Sequence, residues 1–105
     1  MLVNLNDVLL PAAEKGYGVG LFNTVNFEMA RGVLQAAQEL RAPVIIGTAE
    51  ILLPYGPLEE LSDMILPMAK KADVPVVVHY DHGLTFEKCV EALKLGFSSI
   101  MYDCS

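Results

Sequence analysis

Short apolar runs alternate along the chain with segments whose apolar residues recur every three or four positions. The short runs are rich in β-branched residues and predict buried parallel strands, whereas the recurring pattern predicts amphipathic helices. The predicted strands cover residues 17–22, 44–47, 74–80 and 98–102. The first predicted helix is capped by the residue at position 4 or 6 and ends at about residue 15. The other three predicted helices cover residues 27–41, 57–71 and 86–95. Pro11 and Pro67 are expected to bend or shorten two of the predicted helices.

After the first helix, the elements follow one another as βαβαβαβ, in units of roughly 25–30 residues. Such a chain folds by right-handed crossovers onto one parallel sheet. Parallel strands that alternate with helices form either an open doubly wound sheet or a closed barrel. A (β/α)₈ barrel takes about 250 residues. The 105 residues therefore predict a small α/β open sheet or the first four βα units of a TIM-type barrel, a half-barrel with an N-terminal helix.

Composition narrows the possible partners. The chain is 53% apolar and 19% charged, with a formal net charge of −6. The negative charge argues against nucleic-acid and anionic-membrane partners, and no apolar run reaches the ~20 residues that a membrane span needs. Cys89 and Cys104 lie in apolar contexts without CxxC spacing, and no secretory signal precedes them. We therefore expect reduced thiols in a cytoplasmic protein.

The third predicted strand ends on a cluster of polar residues, His79, Asp81 and His82, followed by Gly83. In parallel α/β sheets chemistry collects at the carboxyl ends of the strands. Asp81 beside His82 can serve general acid–base work, with a metal held by the imidazole. Purely structural roles explain the same pair about equally well, with Asp81 as a helix cap and His82 as a surface loop residue. His79 shares strand parity with Asp81 and is expected to be a hydrogen-bonding core histidine rather than a ligand.

Polar residues also end the other predicted strands. Asp103 follows the fourth strand, which is expected to lie beside the strand of Asp81, so that Asp81, His82 and Asp103 form a plausible divalent-metal site. A cap at the start of a further helix is the alternative for Asp103. Asn23 and Thr48 end the first two strands and could hydrogen-bond a hydroxylated substrate, although strand-to-helix junctions favour such residues in any case.

Four segments, in order along nearly the whole chain, are similar to signature segments of one known family. The chain resembles the class II, metal-dependent fructose-bisphosphate and tagatose-bisphosphate aldolases, and covers the N-terminal half of their barrel. The segments are residues 20–28 (GLFNTVNFE), 42–46 (APVII), 75–83 (PVVVHYDHG) and 96–105 (GFSSIMYDCS).

The resemblance implies a zinc-dependent aldolase on a (β/α)₈ barrel, although another divalent cation could serve. Such an enzyme cleaves or forms a ketose phosphate from dihydroxyacetone phosphate and an aldehyde. By this likeness His82 is a zinc ligand, and Asp103 matches a carboxylate associated with an alternative metal position. Asp81 matches the general acid–base that moves the proton of the hydroxyl on the bond-breaking carbon. Asn23 matches a residue that lines the substrate cleft.

The chain departs from the family at one local position. Ala49 stands where the family usually has a serine or threonine that contacts a substrate phosphate, with Thr48 before it and Glu50 after it. Glu50 is as consistent with a loop carboxylate as with a functional one. Because a carboxylate there would repel a phosphate, we hypothesise that the aldehyde partner is unphosphorylated.

A second departure is one of extent. The family's other two zinc-binding histidines, its second catalytic carboxylate and its glycine-rich phosphate loops lie in the second half of the barrel. We therefore expect this chain alone to be inactive, and its open strand edges to favour a homo-oligomer or aggregation. A non-catalytic, self-associating half-barrel is the main alternative function. A small open-sheet ligand-binding domain is a third.

Overall fold

Four parallel strands pair in chain order to form one sheet. The computed structural model describes residues 1–103 and Ser105, so the thiol prediction for Cys104 lies outside the described residues. The strands are β1 (Leu21–Asn23), β2 (Val44–Ala49), β3 (Val76–Gly83) and β4 (Ser99–Tyr102). The helices are α1 (Leu5–Lys15), α2 (Phe27–Glu39), α3 (Leu58–Lys71) and α4 (Phe86–Leu95), and a 3₁₀ turn, Glu50–Leu52, follows β2.

The three crossover helices pack together on one face of the sheet. Apolar residues of α2, α3 and α4 share a single core with alternate residues of β2 and β3, such as Ile46 and Val78. An open doubly wound sheet would instead carry crossover helices on both faces. The architecture is half of an α/β barrel, which confirms the predicted fold class.

Helix α1 packs against the opposite face of the sheet, at the amino-terminal ends of the strands. Val8 of α1 packs against Ile45 and Val77, the strand residues that alternate with the helix-facing ones. Side chains of a strand alternate between its two faces. Two residues further along β2 and β3, Gly47 and His79 therefore share the face of Ile45 and Val77. Ala49 and Asp81, another two residues along, lie on the same face. We call this surface the inner face.

Capping residues explain where the helices begin and end. Asn4 and Asp7 form a reciprocal capping box at the start of α1, and the side chains of Asn26 and Thr85 accept from backbone amides in the first turns of α2 and α4. Gly16 and Gly96 follow the last turns with φ of 78° and 111°, a conformation that glycine adopts without strain. No helix within the described ranges is both long and apolar enough to span a lipid bilayer.

The structure corrects several predicted boundaries. Residues 17–20 are not part of β1, which is an edge strand of only three residues. The third strand extends beyond Tyr80 to Gly83. Helices α1 and α3 continue through Pro11 and Pro67. In α3 the neighbours Leu66 and Ala69 are buried against the sheet, and this packing outweighs the single backbone hydrogen bond that proline removes.

The close approach at Gly83 generates a prediction for stability. A β-carbon at this position would collide with Cys89 Sγ and lie 3.1 Å from both Met101 O and Tyr80 Cε2. Gly83→Ala should therefore lower the free energy of unfolding by about 1–3 kcal/mol, the usual range for overpacking a core. Equilibrium denaturant unfolding measures this change.

Gly32 provides the matched control, because it lies within α2 and nothing is within 4 Å of an added β-carbon. Gly32→Ala should be neutral or stabilise the chain by up to about 1 kcal/mol. Equal effects of the two substitutions would contradict the packing described around Gly83.

Candidate functional site

The site lies at the carboxyl edge of the sheet, where parallel pairing brings the ends of the strands together. The register pairs Ala49 with Asp81 and Gly47 with His79 across β2 and β3. Across β3 and β4 it pairs His79 with Ser99, and a shift between Tyr80 and Gly83 then interrupts the ladder. Of the polar residues predicted at the end of the third strand, Asp81 and His82 lie within this irregular stretch, whereas His79 precedes it.

His82 lies in this stretch with an unusual backbone conformation. Its φ is 46°, in the left-handed region that disfavours residues other than glycine and asparagine. Its side chain is 57% exposed and stands between two carboxylates. Nδ1 lies 3.1 Å from Asp103 Oδ2, and Nε2 lies 3.6 Å from Asp81 Oδ2. The hydrogen bond with Asp103 and the charge of Asp81 raise the pKa of His82 above its ordinary value.

Asp103 uses both of its carboxylate oxygens. Oδ1 accepts from the backbone amide of Ser105 at 3.0 Å and from its hydroxyl at 2.6 Å, while Oδ2 faces His82. The bonds from Ser105, together with His82, lower the pKa of Asp103 to about 2. Asp103 is therefore a carboxylate at neutral pH, and a hydrogen bond to it from His82 Nδ1 leaves Nε2 available to a ligand.

Asp81 is held from the interior by His79. The His79 ring is 9% exposed, and its Nδ1 lies 2.6 Å from the Ser99 hydroxyl. When that hydroxyl donates to Nδ1, the proton of the neutral ring is on Nε2, which lies 3.3 Å from Asp81 Oδ1. One oxygen of Asp81 thus faces a buried donor, and the other, Oδ2, faces the exposed His82. His79 is the hydrogen-bonding core histidine that strand parity predicted.

Asn23 and Thr48 occupy different surroundings. Asn23 pairs with Gly47 and its side chain covers the inner face there, since a β-carbon on Gly47 would lie 3.7 Å from Asn23 Oδ1. Thr48 pairs with Tyr80, which belongs to the helix-facing core, and it is 1% exposed. Within the described part of the chain, the Thr48 hydroxyl has no hydrogen-bond partner. The structure brings Asp81, His82 and Asp103 together and leaves Thr48 on the other side of the sheet.

The sequence left the role of Glu50 open and gave no role to Ser99. Glu50 Oε1 accepts from Tyr80 Oη at 3.0 Å and from the backbone amide of Leu84 at 3.1 Å. Burial alone would raise the pKa of Glu50, but hydrogen bonds from Tyr80, Thr85 and Leu84 outweigh it, and the pKa is lowered. Burial and Glu50 together raise the pKa of Tyr80. The register of two parallel strands was the signal that could have placed Ser99 beside His79.

The described site can hold and move a proton, and it offers part of a cation site. One exposed imidazole and two carboxylates are donors that zinc and other divalent cations accept. Among residues 1–103 and 105, however, no three His, Cys, Asp or Glu side chains are arranged so that they could hold a metal ion. A complete metal centre would need at least one further ligand.

Comparisons with known proteins agree on one family. The family model for fructose-bisphosphate aldolase class-II matches residues 3–105. The chain is 43% identical to a fructose-bisphosphate aldolase of Helicobacter pylori and 44% identical to one of Thermus caldophilus. Each match covers 100% of this chain and 34% of the relative.

A solved structure supports the same relationship. The crystal structure of the YdjI aldolase from Escherichia coli K12 superimposes with a TM-score of 0.96 at 38% sequence identity. The match covers 100% of this chain and 41% of that chain. The chain thus spans little more than a third of the length of the relatives that it matches.

The contact between His82 and Asp103 generates a prediction for titration. Asp103→Asn should lower the pKa of His82 towards its ordinary value of 6.5, because a neutral amide replaces the charged partner. An NMR titration of the ring protons in metal-free protein measures the change. Asp63→Asn, at an exposed position of α3, is the control and should leave the pKa of His82 unchanged.

The same pair should make stability depend on pH in a defined direction. Its contribution is complete between the ordinary values of 3.8 for Asp103 and 6.5 for His82. It is lost as pH falls through the depressed pKa of Asp103, near 2, or rises through the raised pKa of His82. An Asp103→Asn variant that kept the wild-type pKa of His82 would contradict this pairing.

Proposed function

The chain belongs to the class II fructose-bisphosphate aldolase family, and from this premise we propose that its full-length parent is a metal-dependent aldolase. The reaction is cleavage or formation of a ketose phosphate, with dihydroxyacetone phosphate and an aldehyde as the smaller partners. The observation that carries the proposal is the meeting of Asp81, His82 and Asp103 at the carboxyl edge of the sheet. This edge is where barrel enzymes place their chemistry.

His82 is the proposed ligand of a catalytic zinc ion. Its Nδ1 faces Asp103, and a metal-bound histidine commonly donates its second ring N–H to such a carboxylate. A divalent cation held there would supply Lewis acidity towards the ketone of the substrate. Catalytic zinc takes three protein ligands, so the remaining barrel of the parent provides the others. Direct ligation by Asp103, at an alternative metal position, belongs to the same proposal.

Asp81 is the proposed general acid–base. Its Oδ1 is oriented by the buried ring of His79, and its Oδ2 lies on the exposed side, 3.6 Å from His82 Nε2. We assign the proton transfer to Oδ2, which takes or returns the proton of the hydroxyl on the carbon whose bond breaks. Because His79 holds the other oxygen, the carboxylate is oriented before the substrate arrives.

Substrate contacts on this half of the barrel are assigned to the inner face. Asn23 lies on that face beside Gly47 and is proposed to line the substrate cleft. Ala49 lies next to Asp81 and brings no hydroxyl to a phosphate, which supports an unphosphorylated aldehyde. Direct contact between Thr48 and a substrate remains a prediction, and the burial of Thr48 gives it no support.

The edges of the sheet favour a larger assembly. Phe22 on β1 and Tyr102 on β4 are each 50% exposed, and an apolar groove of about 430 Å³ runs between β1 and α2. In the parent these surfaces adjoin the rest of the barrel. On the chain alone they would pair with a second copy, and this supports the second candidate function, a self-associating half-barrel without catalysis. A cytoplasmic homo-oligomer completes the proposal for the parent.

Two substitutions in the full-length parent separate metal binding from proton transfer. Asp81→Asn should retain bound metal while kcat for cleavage falls by about 10²–10⁴-fold, the usual contribution of general acid–base catalysis. His82→Asn should instead lose metal, and asparagine tolerates the left-handed backbone at this position. Metal content by mass spectrometry and steady-state cleavage rates measure the two effects.

Asp63→Asn on α3 serves as the control for both and should match wild type. Full activity in Asp81→Asn would exclude the assigned proton transfer. Full metal content in His82→Asn would exclude the assigned ligand.

A further inference from the structure

We propose that Glu50 is a positioning residue that holds the Asp81–Gly83 segment from both of its ends. The inference rests on the proposed function, since that segment carries the proposed general acid–base and metal ligand. Glu50 lies outside this segment, in the 3₁₀ turn directly after β2. It is neither the proposed general acid–base nor the proposed metal ligand. We call the contact between Glu50 and the residues that flank Asp81–Gly83 the Glu50 clasp.

The clasp consists of one carboxylate oxygen and four donors. Glu50 Oε1 accepts from Tyr80 Oη at 3.0 Å and from the backbone amides of Leu84 at 3.1 Å and Thr85 at 3.3 Å. It also lies 3.3 Å from the Thr85 hydroxyl. Hydrogen bonds to an ionised acceptor are about twice as strong as neutral ones. The carboxylate therefore gathers donors from both sides of one short segment.

The order of these donors along the chain gives the clasp its consequence. Tyr80 immediately precedes the Asp81–Gly83 segment, and Leu84 immediately follows it. The segment contains His82 in its left-handed conformation, with φ of 46°. Such a conformation costs roughly 1–2 kcal/mol for a residue with a β-carbon and persists only where the surroundings determine it. With both flanks tied to one oxygen, the segment cannot relax to an extended strand without breaking the clasp.

Both flanks are themselves anchored. Tyr80 is fully buried, and its ring meets that of Phe97 edge to face at 6.2 Å. On the other flank, Thr85 is the N-cap of α4 and its hydroxyl accepts from the backbone amide of Lys88 at 3.3 Å. The clasp thus joins the 3₁₀ turn after β2 to Tyr80 of β3 and to the start of α4. A negative charge at the start of a helix is also favourable.

The alternative role for Glu50 is an electrostatic one, in which its charge repels a phosphorylated aldehyde. Glutamine separates the two roles, because it keeps an acceptor oxygen on a side chain of the same length but carries no charge. A clasp predicts that Glu50→Gln preserves much of the wild-type behaviour and that Glu50→Ala does not. Repulsion predicts that both substitutions act alike and raise activity towards phosphorylated aldehydes.

The test uses the full-length parent with Glu50→Ala, Glu50→Gln and Tyr80→Phe, and Glu87→Ala as the control. Glu87 is an exposed carboxylate in the first turn of α4, the helix that Thr85 caps. Hydrogen exchange of the Leu84 and Thr85 amides in metal-free protein reports the clasp directly. Zinc affinity and the separate values of kcat and KM report whether the segment that it holds is in place.

Glu50→Ala should accelerate exchange of both amides about tenfold or more, since each loses a charge-assisted hydrogen bond. Zinc affinity should fall by about 10–100-fold, as it does when the partners of a metal ligand are removed. The value of kcat should fall with little change in KM for the aldehyde. Glu50→Gln and Tyr80→Phe should show smaller losses, and Glu87→Ala should match wild type.

Unchanged amide exchange in Glu50→Ala would overturn the clasp. Faster exchange with wild-type zinc affinity and kcat would reduce it to a purely structural contact and would overturn the positioning role. Equal increases in the activity of Glu50→Ala and Glu50→Gln towards phosphorylated aldehydes would establish instead that the charge of Glu50 repels the phosphate. A wild-type parent without zinc binding or cleavage would refute the proposed function, whereas the exchange experiment would still decide whether Glu50 holds the segment.

Discussion

The pairing of β3 with both of its neighbours is the interaction on which the rest of the structure depends. Val76, Val77 and Val78 are each 0% exposed, because helices cover one face of the strand and α1 covers the amino end of the other. Burying a valine contributes roughly 1.5 kcal/mol or more. Three such residues outweigh the roughly 1–2 kcal/mol that the left-handed conformation of His82 costs. The strand can therefore carry a strained segment at its carboxyl end.

The same pairing sorts the polar groups of the site by exposure. Along β3 the side chains of His79, Asp81 and His82 are 9%, 19% and 57% exposed. The buried histidine faces one oxygen of Asp81, and the exposed histidine faces the other. A general acid–base needs such a position, because it must be oriented by the protein and still reach a substrate. Asp103, directly after β4, contacts His82, so the ends of adjacent strands position both residues of the proposed chemistry.

The sequence predicted much of this arrangement, since short-range patterns determine it. Alternating strands and helices indicated a parallel sheet, and strand order then placed Asp103 beside Asp81. Strand parity placed His79 in the interior. The left-handed backbone of His82 was not predictable from local propensity, because the tertiary contacts on either side of the segment maintain it. Thr48 looked like a strand-end residue, but β2 continues to Ala49 and turns Thr48 towards the helices.

The contacts of Glu50 could not be predicted from the sequence, because its partners lie thirty or more positions away along the chain and meet it only in the folded structure. The most direct test of the account is aldol cleavage by the full-length parent before and after treatment with a chelator, with borohydride trapping alongside. The account predicts that chelation abolishes cleavage, that added zinc restores it, and that borohydride traps no substrate on the protein. Cleavage that survives chelation and is inactivated by borohydride would indicate a Schiff-base lysine and would contradict a metal-dependent aldolase.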